Sequence, residues 1–203
     1  MCEPATPVVT MSVSLLKKND LFLVALLIVS LSLNVYLGWR LKRSKNPSAG
    51  PQKAVKLLPG MAVQPIIAAG LDGKQETITY AADGKPTVIY VFTPTCPWCE
   101  RNSGNINTLV GLKGQSYRFI GLSLDNEGLS KYVESHQLSF PVYTNLTSES
   151  IEMLGLGSTP QMIVVSAEGR VIKNWVGAFG GAVQPQVEDF FNVQLPGLLP
   201  QKN

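Results

Sequence analysis

Cys96 and Cys99, two residues apart, can pass between a dithiol and a small disulfide, which is two-electron chemistry that needs no other group. They stand at a junction. Before them runs Thr87-Val88-Ile89-Tyr90-Val91-Phe92, whose β-branched and aromatic content predicts a buried strand. After them, from Cys99 to Lys113, Cys99, Ser103, Ile106 and Val110 recur at helical spacing and would share one face. A thiol at that junction meets unpaired helix N–H groups and the positive end of the helix dipole, both of which stabilise a thiolate. Pro97 suits the first helical position, where its missing N–H would have been unbonded anyway. Three other readings compete. A purely structural disulfide closing so short a loop removes little entropy from the unfolded chain. A zinc site needs about four ligands, and the chain has three Cys and one His, with Cys2 beyond a predicted membrane segment. A reduced core pair without chemistry is the third.

The elements that must position this pair are bounded by length and charge. The chain has 203 residues, enough for one ordinary domain plus an appendage. Residues 1–58 hold 8 Lys and Arg against 2 Asp and Glu, and residues 59–203 hold 9 against 12. The net positive charge thus belongs to the appendage, and a nucleic-acid partner gains no support. Residues 1–19 form a short tail in which Cys2 lacks a lipid-attachment pattern and reads as incidental. Residues 20–41 are predicted to be a single transmembrane anchor. Leu21 to Trp39 is interrupted only by Ser30, Ser32, Asn34 and Gly38, with Tyr36 and Trp39 at one end as an aromatic belt would place them. The run ends in Gly38-Trp39-Arg40-Leu41-Lys42-Arg43 rather than in small residues, which favours an uncleaved anchor over a signal peptide. Residues 42–58 read as a linker and 59–203 as the folded domain.

Within that domain, two strands near Gln64–Ala69 and Glu76–Tyr80 flank the turn Leu71-Asp72-Gly73-Lys74. Strands are expected at Tyr117–Leu124, Phe140–Thr144, Met162–Val165 and Val171–Val176, and short helices at Leu129–Gln137, Ser148–Leu154 and Val183–Phe191. The tail from Gln194 reads as irregular. His136, the only histidine, has no chemical partner near it in sequence and reads as a surface or edge residue. The alternation implies an α/β fold, a mixed central sheet with helices on both faces.

Cys96-Pro97-Trp98-Cys99 after a strand, Thr159-Pro160 before the strand at Met162, and the Glu168-Gly169-Arg170 turn together resemble the thioredoxin superfamily. More narrowly, the chain looks like the membrane-anchored thiol–disulfide oxidoreductases of the TlpA/ResA type. The resemblance covers roughly residues 59–193. The interval of 61 positions from Cys99 to Pro160 leaves room for the inserted strand–helix unit of that subfamily, around Glu127–Thr144. It implies a thioredoxin-like fold, Cys96 as the attacking thiol and Cys99 as the resolving one. It also implies a cis Thr159–Pro160 bond that presents backbone to an extended client segment, and Trp98 as a lip for the client. Client protein thiols or disulfides and a membrane electron donor are the implied partners, and no metal, nucleotide or flavin is needed. One departure stands out: thioredoxins carry a buried acid six residues before the first cysteine, and here Tyr90 holds that position. The acceptor of the Cys99 proton is therefore open, with Glu100, Glu127 and Glu152 as carboxylates to consider.

The expected function is exchange of disulfides with client proteins, as a membrane-tethered reductase. Two alternatives belong to other classes. A thiol peroxidase is suggested by Thr93 and Cys96, although Ile89 stands where the peroxidase pattern wants Pro. A non-enzymatic membrane-tethered binding module is compatible with the fold alone. The expected place is the inner cell membrane, single-pass, with the C-terminal domain extracytoplasmic (periplasmic). Arg40, Lys42, Arg43 and Lys45 after the apolar run favour the opposite orientation under the positive-inside rule; the resemblance is given more weight.

Overall fold

The computed structural model describes residues 23, 24, 26–36, 57–81 and 83–200. It divides into two compact units, residues 1–51 and 52–203. In the first, residues 23, 24 and 26–36 are helical. Ser32 Oγ donates to the Ile28 carbonyl at 2.7 Å and Asn34 Nδ2 to the Ser30 carbonyl at 2.8 Å, so both polar side chains are satisfied one turn back along the helix. Among the described residues no helix is long and apolar enough to cross a membrane. The remainder of the expected span, residues 20–22, 25 and 37–41, lies outside the described residues, as do the tail 1–19 and the linker up to residue 56.

The second unit begins with a hairpin, β1 (Ile66–Gly70) and β2 (Gln75–Ile78), closed by a turn with Gly73 at φ +80°. It continues through β3 (Thr87–Phe92), α1 (Pro97–Lys113), β4 (Arg118–Ser123), α2 (Leu129–Ser135) and β5 (Val142–Thr144). Then follow α3 (Ser148–Met153), β6 (Gln161–Val165), β7 (Val171–Val176) and α4 (Val183–Phe191). The sheet order is β2-β1-β5-β4-β3-β6-β7, with β3 and β5 parallel to β4 and every other neighbour antiparallel. This is a thioredoxin-like mixed sheet. The inserted unit expected around Glu127–Thr144 is α2 followed by β5, which seats itself between β1 and β4. β5 starts two residues later than the sequence suggests. Pro141 has no N–H to give the ladder and contributes only its carbonyl, which accepts from Gly121 N at 2.8 Å.

β3 is buried along its whole length because it lies between β4 and β6 and is covered on both faces. Val88, Tyr90 and Phe92 point to a core shared with Ile106 and Leu109 of α1, Tyr132 of α2, and Val187 and Phe191 of α4. Ile89 and Val91 point to the other core, with Ile66, Ile120, Ile163 and Leu154. The alternation of side chains along a strand therefore sends Tyr90 and Phe92 under the helix that carries the cysteines.

Candidate active site

Cys96 is the N-cap of α1: its backbone is extended (φ −82°, ψ 111°) and its Sγ accepts from the Cys99 N–H at 3.2 Å. Pro97 follows at the first helical position, Glu100 lies in the first turn and Lys113 in the last, each with the sign the helix dipole favours. The helix thus presents the first sulfur at its open end and carries the second inward. Cys96 is partly exposed, while Cys99 is fully buried, and both are free thiols. Burial pushes the Cys99 thiol up to about 12; the nearby Cys96 adds to this, while contacts from Thr93 and Thr159 oppose it.

The Thr159–Pro160 peptide bond is cis, and the Cys96 thiol donates to the Thr159 carbonyl at 3.6 Å. Pro160 also accepts from Gly177 N at 2.8 Å, which ties the loop after β7 to this point. Cys96, Trp98, Thr159 and Pro160 therefore meet at one end of the sheet. Trp98, 52% exposed, forms one side of an open groove of about 520 Å³ whose other walls include Pro160, Ala178, Gly180 and Leu198. Gly177 and Gly181 have φ of +106° and +52°, a backbone region that favours glycine, so that wall of the groove is bare of side chains there.

Behind Cys99 the site is polar in an unusual way. Tyr90, at the position where the resembling family has an acid, is 2% exposed, and its phenol is raised well above the ordinary range by burial and by the neighbouring Cys99. Its hydroxyl approaches the side chain of Asn102 without completing a hydrogen bond, and the Tyr132 hydroxyl is also unpartnered. Burial raises Tyr132 as well, and Cys99, Cys96 and Glu100 act on it in the same direction. A neutral phenol is no base at neutral pH, so Tyr90 does not replace the acid in kind. Glu127 and Glu152 are exposed and are not among the groups that act on Cys99.

Several residues here escape a reading of the sequence. Asn102 and Asn105 are completely buried on α1. Asn102 Oδ1 accepts from Asn105 Nδ2 and from Phe179 N, both at 3.0 Å, and Asn105 Oδ1 accepts from Gly197 N at 2.9 Å. Arg101 lays its guanidinium over the Trp98 ring, 4.7 Å from its centre, a cation that the residues between the cysteines do not reveal. On the far side of Pro97 a second hollow is lined by Glu100, Asn107 and His136. There His136 stacks on Tyr132 at 4.1 Å and its Nδ1 lies 3.0 Å from the Tyr132 carbonyl, so it caps α2 at the margin of the site. Among the described residues no group of three or more His, Cys, Asp or Glu side chains could hold a metal ion.

Comparison with known proteins bears on this geometry. The sequence profile of the family described as Redoxin matches residues 58–191. The chain is 26% identical over 117 residues to the thiol-disulfide oxidoreductase ResA of Halalkalibacterium halodurans, a match spanning 56% of this chain and 65% of that protein. The crystal structure of the thioredoxin domain of a thiol-disulfide oxidoreductase from Bacteroides vulgatus is similar at a TM-score of 0.56 and 19% identity, covering 68% of this chain and 100% of that one. A thiol:disulfide interchange protein from a Bacteroides species gives 0.52 and 21%, with coverage of 67% and 91%. At those identities the structural likeness speaks for the fold.

Proposed function

The chain belongs to the redoxin family, and on that premise we propose that it is a dithiol–disulfide oxidoreductase acting on client proteins through Cys96 and Cys99. The observation that carries this is the asymmetry of the pair: one sulfur partly exposed on a helix N-cap and touching Thr159 at the groove, the other buried one turn behind it. The Cys96 thiolate attacks a client disulfide, forming a Cys96–client bond as the client S–S bond breaks, and the departing client sulfur takes up a proton. Cys99, once deprotonated, attacks Cys96 Sγ, closes the Cys96–Cys99 disulfide and releases the second client thiol. Two electrons pass to the client, and a donor dithiol must return them. Trp98, Thr159 and Pro160 border the groove in which the client segment would lie. Cys99→Ser should strand the reaction halfway. Non-reducing gels should then show client-sized bands joined through Cys96 that vanish with dithiothreitol, and no such bands where wild type is active would refute a protein client.

The favoured direction is reduction. A strong oxidant needs a strongly stabilised thiolate, and among the described residues Cys96 Sγ accepts from a backbone N–H, that of Cys99, while Arg101 is engaged on Trp98. A midpoint nearer about −270 mV than about −120 mV is expected in a redox titration. Tethering to a membrane by residues 20–41 is part of the proposal. It is supported by the apolar run and by the way Ser32 and Asn34 are satisfied within their own helix. The domain is assigned to the extracytoplasmic side, where it would draw electrons from a membrane donor. A reporter active only after export, fused after Asn203, should be active; an inactive fusion with a cytoplasmically active control would reverse the orientation.

A further inference from the structure

After α4 the chain does not leave the domain but runs back along α1 to the dithiol. Asn192, at φ +49°, ends the helix, and Leu195 sinks into the core at 8% exposure. Leu195 is fastened at both polar ends: its N–H donates to Glu188 Oε1 at 2.9 Å and its carbonyl accepts from Gln184 Nε2 at 3.3 Å. Next, Gly197 N donates to the buried Asn105, as described above. At Leu199 the strap pairs with the catalytic helix: its N–H donates to the Arg101 carbonyl and its own carbonyl accepts from Arg101 Nε, both at 2.8 Å. A glycine makes room for it at one point and another lies in ordinary contact range. A Cβ on Gly180 would lie 2.8 Å from Leu198 Cδ1, and one on Gly104 would lie 3.6 Å from Leu199 Cδ2.

These bonds have two consequences for the groove. They hold Leu198 in its wall. They also commit Arg101, the one charged side chain among the described residues that line it, to the Leu199 carbonyl and the Trp98 ring. What remains facing an occupant is mostly apolar, and it is continuous with Thr159, whose carbonyl already touches Cys96 Sγ. A client whose sulfur reaches Cys96 must therefore lay the neighbouring residue into this space.

We propose that the strap of residues 193–200 fixes one wall of the client groove through Leu198, and that Leu198 is a specificity-determining residue, selecting segments with an apolar side chain beside the cysteine under attack. The inference rests on the exchange reaction proposed above. Its test uses the reduced full chain and two disulfide peptides that differ only in Leu or Ser next to the cysteine. Wild type should favour the Leu peptide by about tenfold in kcat/KM, the scale on which a hydrophobic pocket discriminates, with the difference in KM. Leu198→Ser should bring the ratio close to one. Gly180→Ala should also lower it, by displacing the end of the Leu198 side chain while leaving its chemistry intact. A ratio near one in wild type, or a ratio unchanged in both variants, overturns the role of Leu198 and leaves the oxidoreductase reading standing. No exchange with either peptide by the wild type overturns that reading and this one together.

Discussion

Raising the pH on the reduced protein isolates Cys99. Its thiol is pushed to about 12, chiefly by burial at zero exposure, against about 8.5 for an unfolded cysteine. Between those values the unfolded chain releases the proton and the folded chain keeps it. The unfolded state then binds fewer protons, so stability falls as pH rises. The contribution is intact below about 8.5 and shrinks at about 1.4 kcal/mol per pH unit above it, which amounts to about 2 kcal/mol by pH 10. Urea unfolding of the reduced protein at pH 7.5 and 10, with Cys99→Ala as the reference, measures it. Cys96 and the raised tyrosines are present in both proteins and cancel in the difference. The excess loss in wild type should be about 2 kcal/mol, and it should vanish when the Cys96–Cys99 disulfide is closed, because neither sulfur then titrates. An equal pH dependence in the two reduced proteins would refute the burial argument.

Two further substitutions probe the polar groups behind the dithiol in opposite senses. Asn102→Ala removes the acceptor of the Phe179 N–H and of Asn105 Nδ2, two buried donors. A loss of about 2 kcal/mol in chemical denaturation is expected, since a stranded buried N–H costs about 1–3 kcal/mol and Asn105 Nδ2 keeps the Phe179 carbonyl at 3.3 Å; a loss under 1 kcal/mol would mean the Phe179 N–H is solvated. Tyr90→Phe removes a buried hydroxyl that already lacks a full partner, so stability should stay level or rise by up to about 1 kcal/mol. A loss above 2 kcal/mol would show that the hydroxyl has a partner after all.

The parts of this site that the sequence announces are those governed by local pattern. Thr87–Phe92 is a strand because six apolar or β-branched residues leave it no exposed face, and Val171–Val176 and Val183–Phe191 fall where their patterning places them. Cys96-Pro97 marks a helix start by the chemistry of capping alone. The rest is invisible for a reason that lies in distance along the chain. Asn102, Asn105 and Arg101 look like the solvent side of a weakly amphipathic helix, because the groups that satisfy them come from 74 to 98 residues later. The same holds for the segment after Gln194, irregular by any local rule and indeed without helix or strand, yet bonded at Leu195, Gly197 and Leu199. α1 is thus apolar where Ile106 and Leu109 meet the sheet and amide-lined where it meets the Phe179 loop and the strap. Amides serve there because the partners are backbone segments without regular structure, whose N–H and C=O groups must be paired one by one if they are to be buried. An apolar helix face could cover those segments but could not hold them in register with Cys96. The residues that fix the groove are therefore the ones that least resemble a core.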